Sequence, residues 1–300
     1  VGSEEWNYLK QQFIDSCEQM DNAGEQPHRI QNRMTETFPD NMSPRATGEF
    51  YNEPDTDWSL PGNREWADNI RKKWMKSADS EPIEIPLVIN GKEINKKRKT
   101  RDCTDPSQFH AKVRTAVYNM ATEDDLDKAV ETAKQDPDGW REKTAAERHA
   151  ILSQAAMELR YARGDLIGSA AANTGKVFTE SDPEVSEAID FVEFYAFEAS
   201  NYDDMENLDC SGKGVGLVIS PWNFPIAIPC GGVVASLAAG NTVIFKPASD
   251  AVLTAYILCQ CFWRAGVSRK TLQFVPCSGS DVGDKLTAHP DIDYIILTGG

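Results

Sequence analysis

From residue 214 onward, short apolar runs alternate with helical stripes. Residues 215–219 read Val-Gly-Leu-Val-Ile without a polar break, and a second apolar run opens at Ile226 after Ser-Pro-Trp-Asn-Phe-Pro. Residues 240–247 give a Gly-Asn turn, then Thr-Val-Ile-Phe, a strand composition with a lysine at its carboxyl end. A helical pattern over 251–265 closes at Gly266, a position suited to a left-handed C-terminal cap. Residues 272–275 predict a third strand, leading into Gly279-Ser-Asp-Val-Gly283 and a helix start, and 294–297 a fourth, ending in Thr298-Gly299-Gly300. Strand, turn, helix and strand in repetition predict an α/β protein: an open parallel twisted sheet with crossover helices. Its polar and glycine positions all fall at the carboxyl ends of strands, the edge where such sheets bind nucleotides.

Upstream the pattern is mostly helical. Residues 5–20 form a weakly amphipathic helix, and 27–50, polar with several prolines, predict a loop or tether. Over 60–76, Trp66, Ile70 and Trp74 fall at i, i+4 and i+8 on one helical face. Residues 85–94 alternate around Asn90-Gly91, a hairpin signal. Thr122 with Glu123, Asp124 and Asp125 reads as an N-cap with an acidic first turn, for a helix reaching Gln135. Thr144 and Glu147 form a capping box, with Ile151, Leu152, Ala155 and Leu159 on the buried face. A further helix is predicted to open at Asp182-Pro183, with Pro183 in its first position and a stripe from Val185 to Ala199.

Charge narrows the function. With 31 basic and 47 acidic residues the net charge is −16, which argues against binding nucleic acid or an anionic membrane. Lys96-Lys97-Arg98-Lys99 is short and lacks interleaved aromatics, so it reads as a solvated turn. No apolar stretch approaches the roughly 20 residues that span a bilayer, and the first residues do not resemble a signal peptide. Seven cysteines, an odd number without paired metal spacing, suggest reduced thiols in a cytoplasmic protein and no metal site. Cys259 and Cys261 suit core packing on a helix, and His28, His110, His149 and His289 are scattered singly.

The chemistry concentrates in residues 220–225. Pro221 and Pro225 fix φ and remove two backbone donors, so the segment between them is neither ladder nor helix interior. Asn223 offers an uncharged amide N–H, a group type that holds a developing oxyanion. Together with Lys246-Pro247, the Gly279-x-x-x-Gly283 spacing and the terminal Thr298-Gly299-Gly300, these strings resemble the aldehyde dehydrogenase superfamily over residues 85–300. The resemblance implies NAD-dependent oxidation of a small aldehyde to an acid. It assigns Asn223 to the oxyanion hole, and Phe224 to the aromatic wall of the aldehyde tunnel or else to the core. To the cofactor it assigns Ser220, Pro221 and Trp222 in the turn, Lys246 on the adenosine ribose hydroxyls, and Ser249 beside it. Gly279 and Gly283 would let a helix N-terminus approach the pyrophosphate, with Thr298, Gly299 and Gly300 closing the cofactor side. Many relatives that prefer NAD read Lys-Pro-x-Glu, whereas this chain has Ala248-Ser249, so tolerance of NADP is expected as well.

Residues 52–67, with Trp58, Leu60-Pro61 and Trp66, resemble the connector of bifunctional proline-catabolic enzymes. There it joins a flavin-dependent proline dehydrogenase to an L-glutamate γ-semialdehyde dehydrogenase. The resemblance therefore implies a connector over 1–80, able to dock, and an NAD-binding domain over 81–300, with a proline dehydrogenase domain covalently linked upstream. The family's nucleophilic cysteine and its glutamate lie further along the pattern than Gly300. The chain is thus expected to be a fragment, inactive alone, from an enzyme that is a homo-oligomer when complete. Two other readings stand at this point: an aldehyde dehydrogenase for another small aldehyde, and a non-catalytic nucleotide-binding or assembly module.

Overall fold

A computed structural model of the chain describes residues 2–18, 20, 29–38, 50–203, 205–207, 209–279 and 283–299. Helix α1 (Glu4–Glu18) buries none of its residues. Much of the predicted 27–50 loop lies outside the described residues, as does His28. Within it, Arg33 is buried and donates to the Thr56 hydroxyl and the Pro54 carbonyl. Helix α2 (Pro61–Trp74) follows, with Ile70 and Trp74 inward as the i, i+4 spacing predicts.

The hairpin prediction holds in part. Strands β2 (Leu87–Ile89) and β3 (Lys92–Ile94) pair antiparallel around Asn90 and Gly91, whose φ values of 50° and 72° fit the tight turn that Asn-Gly favours. Ile85, however, belongs to β1 (Ile83–Ile85) in a different sheet, because Pro86 interrupts the ladder between them. That second sheet has the order β1-β5-β4, with β4 (Thr100–Thr104) and β5 (Arg114–Asn119). The basic turn before β4 leaves Lys96, Lys97 and Lys99 exposed, while Arg98 forks onto Asp125 at 2.6 and 2.8 Å.

The predicted N-cap at Thr122 and capping box at Thr144 both form, each as a capping box, at α3 (Glu123–Gln135) and α4 (Ala145–Thr174). Helix α4 runs 30 residues, well past the predicted stripe. Helix α5 (Phe178–Asp203) starts earlier than Asp182-Pro183 predicts, and Pro183 lies inside it rather than at its first position. Asp182 does not cap the helix because its carboxylate is engaged elsewhere. It accepts the Thr56 N–H at 2.6 Å and hydroxyl at 2.7 Å, and Arg163 at 2.8 Å. Pro183, exposed and near the helix start, removes one donor there.

The remaining strands, β6 (Val215–Ile219), β7 (Thr242–Lys246), β8 (Leu272–Phe274) and β9 (Tyr294–Leu297), alternate with α6 (Ala227–Ala238), α7 (Val252–Arg264) and the single turn α8 (Asp284–Thr287). They build a six-stranded sheet of order β3-β2-β8-β7-β6-β9, parallel from β8 to β9 and closed at its other edge by the antiparallel hairpin. Successive side chains serve opposite cores: Val218, Val243 and Phe245 face α4, α5, α6 and α7, while Val215, Leu217 and Ile244 face α3. Burial on both faces explains the unbroken apolar runs in sequence. Among the described residues, no helix is long and apolar enough to cross a membrane.

Residues 52–57 lie across α4 and α5. The Glu53 carboxylate pairs with Arg160 at 2.9 Å and Arg163 at 3.2 Å, and all three side chains are under a tenth exposed. Asp190 accepts from Asn52 and from the Glu53 N–H, both at 2.7 Å. Trp58 stacks on Trp66 at 6.0 Å. Buried charges so fully matched are costly to separate, since losing one partner strands the others away from water.

Candidate functional site

Strand order places the site. From β6 the chain steps to β7 and β8 on one side, then returns to lay β9 on the other. The carboxyl end of β6 is therefore a topological switch point, where neighbouring loops diverge and leave a crevice. Its loop, residues 220–225, is tied to both neighbours beyond the ladder. The Ser220 N–H donates to the Lys246 carbonyl at 3.4 Å, and the Thr298 N–H to the Ile219 carbonyl at 3.1 Å.

Glycines allow the close approaches here. Gly299 adopts φ +115°, and a side chain there would meet the Pro221 ring at 3.3 Å. At Gly283 a Cβ would stand 3.3 Å from the Ser278 carbonyl oxygen and 3.9 Å from Lys246 Cε, so Gly283 lies beside the lysine stem. A Cβ at Gly279 would meet nothing within 4 Å. The structure thus gathers Ser220, Pro221, Lys246, Gly283, Thr298 and Gly299 at one edge. Gly300 lies outside the described residues.

Ser220 and Pro221 are buried, whereas Trp222, Asn223 and Phe224 are exposed. The latter three line a cleft of about 560 Å³ with Thr174, Lys176 and Glu180. Phe224, 42% exposed, is therefore not core filler. Ser249 lies on the other side of Trp222, in a second hollow of about 320 Å³ with Arg101, Asn173 and Asp250. Burial raises the pKa of the Tyr118 phenol, against the opposing pull of the Ser249 hydroxyl.

Two residues that no sequence motif signalled support the turn. Lys176, in the short link between α4 and α5, donates to the Asn223 carbonyl at 2.8 Å and stands 3.9 Å over the Phe224 ring. Glu184 on α5 pairs with Lys176 at 2.6 Å and accepts the N–H groups of Ile226 and Ala227 at 2.9 and 3.1 Å. Burial raises the Glu184 pKa, against the opposing pull of Lys176 and the two amides.

No cysteine lines the Asn223 cleft among the described residues. Cys103, Cys230, Cys259, Cys261 and Cys277 are buried, and burial pushes each thiol upward, Cys103 and Cys261 to about 12. Cys17 and Cys210 are exposed, as free thiols like the rest.

A parallel sheet with a proline-flanked loop at its switch point and a lysine closing the neighbouring strand is the frame of the aldehyde dehydrogenase family, and the chain belongs to it, matching the family model over residues 94–300. It is 35% identical over 264 residues to the 1-pyrroline-5-carboxylate dehydrogenase of Staphylococcus epidermidis, covering 83% of this chain and 49% of that protein. Proline utilization A from Bdellovibrio bacteriovorus, inactivated by N-propargylglycine, superposes with a TM-score of 0.78 at 30% identity, over 86% of this chain and 27% of that one. The 1-pyrroline-5-carboxylate dehydrogenase from Thermus with bound NAD superposes at 0.72 and 30% identity, over 83% of this chain and 49% of that one. The chain spans about half the length of the curated relatives it matches.

Proposed function

We propose that the protein carrying this chain oxidises L-glutamate γ-semialdehyde to L-glutamate with NAD, in proline catabolism. The observation that carries the reading is that the loop bearing Asn223 is tied to Lys246 at the sheet's switch point, with Gly283 beside the lysine stem. The likeness to 1-pyrroline-5-carboxylate dehydrogenases supports the choice of aldehyde, and the Thermus structure with bound NAD supports the cofactor.

The residues present fit a dinucleotide. Gly279 faces open space, Gly283 lets the backbone pass close to Lys246, and Lys246 itself is half-buried at a strand end. In this reading Lys246 and Ser249 hold the adenosine ribose, and Gly279, Gly283, Thr298, Gly299 and Gly300 border the phosphates and the rest of the cofactor. Ser220, Pro221 and Trp222 form the wall between cofactor and aldehyde. NAD, when bound, supplies the hydride acceptor. Asn223 donates its side-chain N–H to the oxygen of the reacting carbonyl as negative charge develops there. Phe224 contributes an apolar wall that excludes water from the aldehyde.

Residues 1–80 act as a connector and 81–300 as the NAD-binding domain. We further propose a proline dehydrogenase domain linked upstream, a likeness to proline utilization A being the support. The complete protein would be a cytoplasmic homo-oligomer, a location consistent with seven free thiols.

The test compares kcat/KM of the full-length protein for glutamate semialdehyde and for propanal. A charged contact to the substrate's amino-acid end is worth about 1.5–3 kcal/mol, so the semialdehyde should be favoured at least tenfold. Equal rates would leave an aldehyde dehydrogenase of other specificity. No reduction of NAD with any aldehyde would favour the non-catalytic reading.

A further inference from the structure

The turn that carries Asn223 has a weak point. Pro221 and Pro225 offer no N–H, residues 221–225 belong to neither sheet nor helix, and α6 begins at Ala227 with apolar Ile226 as its capping residue. Ile226 cannot cap a helix with its own side chain, so the first amides of α6 need an acceptor from elsewhere. Glu184 supplies it, one carboxylate oxygen taking both the Ile226 and Ala227 N–H groups. Its other oxygen meets the Lys176 ammonium, which in turn donates to the Asn223 carbonyl and covers the Phe224 ring. The Lys176 and Glu184 side chains are only 11% and 2% exposed, so the pair is shielded from salt and water.

We propose that Lys176 and Glu184 are positioning residues for the oxyanion-holding Asn223: a buried ion pair that clamps both ends of the 223–227 backbone and fixes where the Asn223 amide points. The clamp rests on the function proposed above. Neither charge needs to touch substrate or cofactor for it to act. Lys176 grips the peptide that carries Asn223, Glu184 grips the helix that follows, and their mutual attraction holds the two grips together. An oxyanion donor contributes about 10²–10³ in kcat only while its geometry is held, and a misplacement of 1 Å can cost about 10²-fold. The alternative is that the pair merely stabilises the fold, leaving the turn's geometry to the prolines.

Two arms separate these. In the full-length protein, Lys176→Met should lower kcat about 10–100-fold with the KM for NAD unchanged, because the cofactor-side residues Lys246 and Gly283 lie outside the clamp. Lys176→Arg, which keeps the charge and a donor, should recover most of that loss. The second arm follows amide hydrogen exchange over residues 220–228, where Glu184→Ala should speed exchange at Ile226 and Ala227 at least tenfold. If that variant melts below the assay temperature, Glu184→Gln replaces it, and its weaker neutral acceptor should give a smaller rise. Wild-type kcat in Lys176→Met, or unchanged exchange in the folded Glu184 variant, would overturn the clamp. Failure of the wild-type protein to oxidise any aldehyde would instead sink the functional reading, while the exchange arm would still decide whether the turn is clamped.

Discussion

Gly168 on α4 packs directly under Trp74 of α2, and adding one methyl there measures how firmly the connector region is seated. A Cβ at Gly168 would fall 2.1 Å from Trp74 Cδ1, 2.5 Å from Cγ and 2.7 Å from Nε1. Carbon atoms pack at about 3.5–4.0 Å, so the indole must retreat by roughly 1.5 Å. Trp74 is 8% exposed, and its N–H donates to Asp165 at 3.1 Å, which opposes any retreat. If α2 shifts outward as a body, overpacking costs about 1–3 kcal/mol. If the ring is expelled instead, some 200 Å² of burial at about 25 cal/mol/Å² sets an upper bound near 5 kcal/mol. Replacing glycine within a helix returns about 1 kcal/mol in propensity. Gly168→Ala should therefore destabilise by about 0–2 kcal/mol if α2 shifts and by up to about 4 kcal/mol if the ring is expelled, read as a lower urea midpoint at unchanged slope. With Trp74→Ala already in place, the same substitution should be neutral or slightly stabilising, because the clash is gone. The same stability change for Gly168→Ala with Trp74 present and with Trp74→Ala in place would refute the seating of α2 on α4. Residues 61–74 would then behave as a tether instead of part of the body.

In the full-length enzyme, Lys246→Ala should lose charge-assisted hydrogen bonds worth about 1.5–3 kcal/mol and mainly raise the KM for NAD. Asn223→Ala should instead lower kcat about 10²–10³-fold with cofactor affinity little changed, and equal effects on both constants would undo this division of roles. Ser249→Glu should selectively lose activity with NADP, as the new carboxylate repels a 2′-phosphate by about 1 kcal/mol or more; an unchanged NAD/NADP ratio would mean that Ser249 faces only Tyr118. Burial pushes the Asp125 carboxyl up, but the Arg98 fork and Thr122 pull it down further, leaving it below its ordinary 3.8. A carboxyl lowered by folding stabilises above that value and stops doing so as pH falls through the folded value. The stability gap between wild type and Arg98→Gln should hold at neutral pH and close in strong acid; a gap constant throughout would contradict the pairing. The 300-residue chain alone should form no NADH from glutamate semialdehyde, since its buried thiols are held far from their thiolate form; measurable turnover would put one of its seven cysteines into the catalytic role.

The parallel core was legible because burial on both faces leaves apolar runs such as 215–219 and 242–245, and the site residues follow those runs directly. The small sheet was not, since β4 buries only Cys103 and presents Thr100, Arg101, Asp102 and Thr104 to solvent. Helix α4 outran its predicted stripe for the opposite reason. Packed by α2, α5 and α7 on several sides, it buries residues around most of its girth, so no single face repeats. Asp182-Pro183 misled because a helix-start signal is local, while Asp182 answers to Thr56, 126 residues away. Lys176 and Glu184 left no motif, for a loop lysine and a helix glutamate are ordinary until α6 is packed beside them. The signal that existed was indirect: Ile226 opens a helix without being able to cap it.

The hairpin at the far edge of the large sheet constrains how this chain is made. Asn90 donates its N–H to the Gln273 side chain, 183 residues further on, and Val88 pairs with Phe274 in the same place. At a ribosomal rate of about 5–20 residues per second, that partner emerges roughly 10–40 s after the hairpin does. Until then Leu87, Val88 and Ile89, all buried in the finished protein, have no sheet to join. The long α4–α5 pair can close in the meantime, for its contacts are nearer in sequence, and it offers a surface on which the later strands can assemble. A nascent chain held in this waiting state exposes an apolar edge for many seconds, and its yield in a cell would depend on chaperone capacity more than on final stability.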